Sequence, residues 1–130
     1  MIHSVQRVAR LMTKEVSDFL RVSTFVEGKM KSVQRTHQQM VKSDLAKQKT
    51  LWAKVMKDAS SAIDMAVRLH KKLSGTSEFS KLSKSIRALE LTLVEPTLPA
   101  FQAKQVVTSL EELYGDVQRI ATLASKGYLE

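Results

Sequence analysis

The stretch TLVEPTLPAF, residues 92–101, holds both prolines of a chain of 130 residues. Whether it bends one long helix or separates two helices decides the architecture. Stepping forward by threes and fours, positions 79, 82, 86, 89, 93, 96, 100, 103, 107, 110, 114, 117, 121 and 124 stay apolar, from Phe79 through Pro96 to Ala124. Two helices joined by a loop have no reason to share a phase. The spacing therefore predicts one helix over about 78–126, kinked at Pro96 and Pro99, where backbone hydrogen bonds are lost. Gly115 weakens this arm slightly and Gly127 ends it. The competing reading starts a new helix here, capped at Thr97, with Pro99 in its first turn. Leu98 and Phe101 fall off the apolar phase and favour that alternative.

The preceding half reads the same way. No glycine or proline occurs from 29 to 73. Positions 41, 45, 48, 52, 55, 59, 62, 66, 69 and 73 form a coiled-coil-like seam, polar only at Gln48. Leu51, Trp52, Met56, Ile63 and Met65 widen this helix's apolar surface beyond what one neighbour covers, which makes them the candidate interface. SGTS, 74–77, is the clearest turn: Lys71 and Lys72 suit a helix end, Gly75 a left-handed cap, and Thr76 or Ser77 the next start. Glu78 follows in the first turn, where a negative charge favours the helix dipole. Upstream, Val5, Val8, Met12, Val16, Phe19, Val22 and Val26 mark a helix over 4–27, with a break expected near Gly28. The expected fold is all-α, a single domain over 1–130. It is an elongated antiparallel helical hairpin (29–73 and 78–126) plus a shorter N-terminal helix, in a three-helix, coiled-coil-like bundle. The alternative is a compact four-helix bundle with breaks near 28, 75 and 96.

Composition narrows the function classes. With no cysteine, disulfides and thiolate metal sites are excluded. No apolar run reaches the 18 or so residues of a membrane-spanning helix. The chain reads as intracellular, soluble or peripheral. Its acid-poor start, MIHSVQRVARLMTK, is of the kind that opens organellar targeting segments, but the apolar stripe continues past it and it reads as part of the fold. The formal charge of +8 is lopsided: residues 1–72 hold 15 Lys and Arg against 6 Asp and Glu, whereas 73–130 hold 6 against 7. The basic residues Lys29, Lys31, Arg35, Lys42, Lys47, Lys49, Lys54 and Lys57 share their stretch with one acid, Asp44. They are the candidate surface for a polyanion, or else simply a solvated face.

Catalysis finds no footing. Phosphate-binding glycine loops, HExxH, GxSxG and the Glu-x-x-His pattern of di-iron bundles are all absent. His3, His37 and His70 are too far apart to form a local ligand set, so no metal or cofactor is expected. His37, on an apolar stripe, reads as a partly buried packing residue. His70, in RLHKKLSG, resembles the histidine of phosphotransfer domains, but Lys71, Lys72 and Gly75 depart from the spacing those domains need. Trp52 reads as an anchor in a core or an interface. A long hairpin with a kinked arm, LVEPTLPAF, and a positive face resembles BAR-type curvature modules over roughly 35–125, in pattern and without a specific motif. Spectrin-like three-helix rods resemble it equally, and fold likeness carries no function by itself. The functional expectation is a non-enzymatic assembly, scaffold or adaptor subunit that meets its own copy or a helical partner, with no small-molecule substrate. The alternative is a polyanion-binding module for an anionic membrane surface or, less favoured, nucleic acid.

Overall fold

The helix that runs up to Val41 is stopped at residues 42–44, where neither glycine nor proline stands, by short polar side chains that satisfy orphan backbone groups. The Ser43 hydroxyl donates to the Gln39 carbonyl at 2.6 Å. Asp44, in extended conformation, accepts from the Lys47 backbone N–H at 2.9 Å and so caps the next helix. The Gln48 side-chain amide donates back to the Ser43 carbonyl at 2.9 Å. The one polar residue of the expected seam is therefore a turn clamp. The computed structural model describes the backbone of residues 2–126 and the side chains of residues 16–126. Over that span it holds four helices, α1 (Ile2–Val41), α2 (Leu45–Lys72), α3 (Ser77–Thr92) and α4 (Pro99–Ser125), and no strand.

Two of the expected boundaries are corrected by this arrangement. α1 passes through Gly28 unbroken, because one helical glycine costs only about 1 kcal/mol relative to alanine while Val26, Met30 and Val33 on either side are buried. The helix expected over 29–73 is accordingly two helices that meet at the 42–44 turn. The kink expected at Pro96 and Pro99 is a loop: 93–98 is non-helical and Pro99 is the first residue of α4. The reason is proline chemistry. Pro96 biases Glu95 towards extended backbone, and Pro99 sits where its missing N–H has no intrahelical partner to lose. The cap is Leu98 in place of Thr97, without a side-chain hydrogen bond. The loop is closed by Gln102, whose amide donates to the Thr92 carbonyl at 2.6 Å. With the curved arm gone, the likeness to BAR-type modules goes too. Helix breaks stand near 75 and 96, as in the four-helix alternative, with the first at 42–44 in place of 28. A helix end expected at Gly127 lies outside the described residues.

Cross-links between helices fix directions and register. Lys72 reaches Asp18 at 2.6 Å and the Ser32 hydroxyl reaches Asp58 at 2.6 Å, so α1 and α2 run antiparallel. Arg119 meets Glu78 at 2.6 Å and Ser85 donates to Asp116, which sets α3 and α4 antiparallel. Tyr114 donates to Glu27 at 2.5 Å across α4 and α1. α2 and α4 each touch all three other helices, whereas among the described residues α1 and α3 lie across the bundle from each other without contact. The core is continuous through Phe19, Val26, Val33 and Met40 of α1, Val55, Ala59, Ala62, Ala66 and Leu69 of α2, Leu82 and Leu89 of α3, and Leu110, Leu113, Val117 and Ile120 of α4. Ala59, Ala62 and Ala66, at three consecutive seam positions of α2, are fully buried.

Candidate interaction surfaces

The two ends of the bundle differ. At one end lies the turn between α2 and α3. Gly75 takes φ +89, which a side chain resists. The Thr76 hydroxyl donates to the Leu73 carbonyl at 2.7 Å, and Leu73 is fully buried. His70 stacks on Phe79 with ring centroids 3.9 Å apart and shares a 2.5 Å hydrogen bond with the Ser83 hydroxyl. At the other end lie the 42–44 turn and the 93–98 loop. Here Val41 (63 % exposed), Leu45 (49 %), Leu91 (64 %), Val94 (54 %), Leu98 (63 %) and Phe101 (61 %) all stand in solvent. Among the described residues only one other large apolar side chain, Leu20, is exposed to this degree.

The five residues expected at an interface do not join this surface. Leu51, Trp52, Met56, Ile63 and Met65 are all half-buried. Leu51, Trp52, Ile63 and Met65 pack against the core, since α2 meets three helices where the sequence reading supplied fewer neighbours. Trp52 lines a cleft of about 220 Å³ with Lys49, Glu95, Pro96 and Pro99, so the proline loop folds back over the start of α2. Met65 faces α1 in a separate groove with Arg21 and Arg68.

The eight basic candidates are divided by the 42–44 turn between two antiparallel helices. Lys29 is half-buried and has partners within the fold: it pairs with Asp58 at 3.7 Å and stands over the Phe25 ring at 5.4 Å. Lys31 pairs with Glu27 at 3.3 Å, an exposed pair of small energetic weight. Arg35, Lys42, Lys47, Lys49, Lys54 and Lys57 are exposed, with no ion pair among the described residues. On α2 helical spacing carries this character onward through Arg68 and Lys71, and Asp64 is the one exposed acid beside them.

The titrating groups have structural partners. The Tyr114 hydroxyl, and then Lys31, hold the Glu27 carboxyl below its ordinary range, and the same hydrogen bond raises the Tyr114 hydroxyl above its own. His37 is half-buried on α1, and burial first, then Lys104, lowers its pKa. Among the described residues no three His, Cys, Asp or Glu side chains gather as a metal site. No helix there is long and apolar enough to cross a membrane. Comparison of the chain with protein-family models, curated proteins and solved structures finds no match.

Proposed function

We propose that this protein is a non-enzymatic helical assembly module that joins its partner through the apolar end of the bundle. The observation that carries the reading is the gathering of Val41, Leu45, Leu91, Val94, Leu98 and Phe101 at that end, each about half exposed or more. Groups of large apolar side chains left in water mark association surfaces, and polar rims give them specificity. The rim here carries both signs, Lys42, Lys49 and Lys104 with Asp44, Glu90 and Glu95, all exposed. Mixed charge is what a two-fold interface between identical surfaces needs, so a second copy of this chain is the partner to test first. Size-exclusion chromatography with light scattering across the micromolar range tests it. The expected result is concentration-dependent dimerisation, and a monomer at every concentration overturns self-association.

A second reading, polyanion binding, is favoured by the exposed and unpaired Lys47, Lys54, Lys57, Arg68 and Lys71 along α2. Cosedimentation with anionic vesicles and a nucleic-acid shift assay, each over a salt series, measure it. Binding that falls with salt and vanishes on charge reversal at Lys42, Lys49 and Lys54 supports it. No binding at about 100 mM salt, where the screening length is near 10 Å, leaves the basic face as solvation.

A further inference from the structure

The antiparallel register of α1 and α2 sets residue 18 against 72 and residue 32 against 58. The same register brings Arg21 and Val22 opposite Arg68 and Leu69. Between them lies a groove of about 180 Å³, which also takes in Asp18 and Lys72. Its bottom is apolar, with Val22 7 % and Leu69 1 % exposed, and its rim is basic. Asp18 holds Lys72 at 2.6 Å, while Arg21 and Arg68 are exposed and meet no carboxylate among the described residues. Two guanidinium groups brought to one groove from facing helices repel each other unless an anion lies between them.

We propose that this groove binds a phosphate monoester, with Arg21 and Arg68 as its two forks. Among the described residues that line the groove three are positive, Arg21, Arg68 and Lys72, and one, Asp18, is negative, so a ligand with close to two negative charges neutralises this set. A phosphate monoester has that charge near neutral pH, and a carboxylate has half of it. Guanidinium forks match phosphate oxygens two at a time. The volume is several times the roughly 30 Å³ share of one water, and the apolar bottom suits the carbon group attached to the phosphate. The site lies apart from the apolar end of the bundle and does not depend on how that end is used.

Phosphate monoesters reach proteins free in solution or as a lipid headgroup, and two arms separate these sources. In the first, isotope-labelled protein is titrated with phenyl phosphate and followed by NMR. Saturable shifts confined to residues 18–22 and 65–72 are expected. Arg21→Gln and Arg68→Gln should each weaken binding about tenfold or more, as loss of a charged hydrogen bond does, while Lys54→Gln on the outer face of α2 leaves it unchanged. Thermal melts of both arginine variants check the fold. Titration of the unaltered protein with benzoate gives a readout free of any folding effect, and should show the weaker binding of a single charge. In the second arm, vesicles containing phosphatidic acid are sedimented with the protein. Sedimentation lost in both arginine variants identifies a lipid headgroup, and its absence alongside phenyl phosphate binding identifies a soluble ligand. Phenyl phosphate shifts that fail to saturate, benzoate binding of equal strength, or equal weakening by Lys54→Gln overturns the site. Vesicle binding without phenyl phosphate binding overturns it as well.

Discussion

The α2–α3 turn and the end that carries the 42–44 turn and the 93–98 loop are built from the same apolar periodicity, yet they use it differently. At the α2–α3 turn, seam residues Leu69 and Leu73 are buried to the last turn of the helix, and a left-handed glycine reverses the chain tightly. At the other end, seam positions 41 and 45 come out of phase with the core, and both stand in solvent. Apolar area in the first region stabilises the fold. In the second it remains in water, so that covering it with a partner releases further hydrophobic free energy, roughly 25 cal/mol per Å².

Substitutions can break this comparison directly. The largest effect is expected at Leu73, fully buried, where Leu73→Ala should cost about 2–5 kcal/mol in urea unfolding. Phe101→Ser, at a residue 61 % exposed, should change stability by no more than about 0.5 kcal/mol while weakening self-association. Equal stability losses for the two would show that the ends do not differ. Next in size is Gly75→Ala, which should cost about 1–2 kcal/mol because it forces a side chain into the left-handed region at φ +89. Removing the cap of α2 with Asp44→Ala should cost about 1 kcal/mol, read in the same assay.

Two smaller effects sharpen the account. Gly28 lies within α1, and a Cβ added there meets nothing within 4 Å. Gly28→Ala should therefore raise stability by roughly 0.5–1 kcal/mol, the opposite sign to Gly75→Ala. The smallest effect is at His37. Its folded pKa lies below the ordinary histidine value of about 6.5, so the unfolded chain binds the proton more readily. The stability linked to this group is complete above about pH 6.5 and is lost as the pH falls through its folded value. Melting temperatures of the parent and of His37→Gln should converge or cross in that direction between pH 7.5 and 5 (~2.5 pH units). A difference independent of pH would mean that burial of His37 does not govern its titration.

Much of the fold is written in the apolar periodicity. The seam positions Val55, Ala59, Ala62, Ala66, Leu69 and Leu73 are all buried, as are Leu82, Ile86 and Leu89. On α4, Ala103, Leu110, Val117, Ala121 and Ala124 are buried as the spacing predicts, but the core also takes in Val106, Leu113 and Ile120, while Val107 and Tyr114 shift to its edge. The 42–44 turn went unread because an apolar phase carried across it and no glycine or proline marked it. Its signal was Asp44 standing immediately before Leu45, an N-cap residue where a seam position follows. The proline loop misled for a related reason: a six-residue loop happened to preserve the phase of the two helices it joins. Neither the apolar end nor the Arg21–Arg68 groove was legible, because each needs the chain reversals that bring distant residues together. Glu78, read as a first-turn charge, also holds Arg119 from a helix 41 residues away in sequence.

The central claim is that the apolar end exists to be covered. Sedimentation equilibrium of the unaltered protein beside the triple variant Leu91→Ser, Val94→Ser, Phe101→Ser tests it most directly, with thermal melts of both. The account predicts a dimer that dissociates on dilution, a monomeric variant, and closely similar melting of the two monomers. A parent protein that stays monomeric, or a variant that dimerises as strongly as the parent, contradicts it.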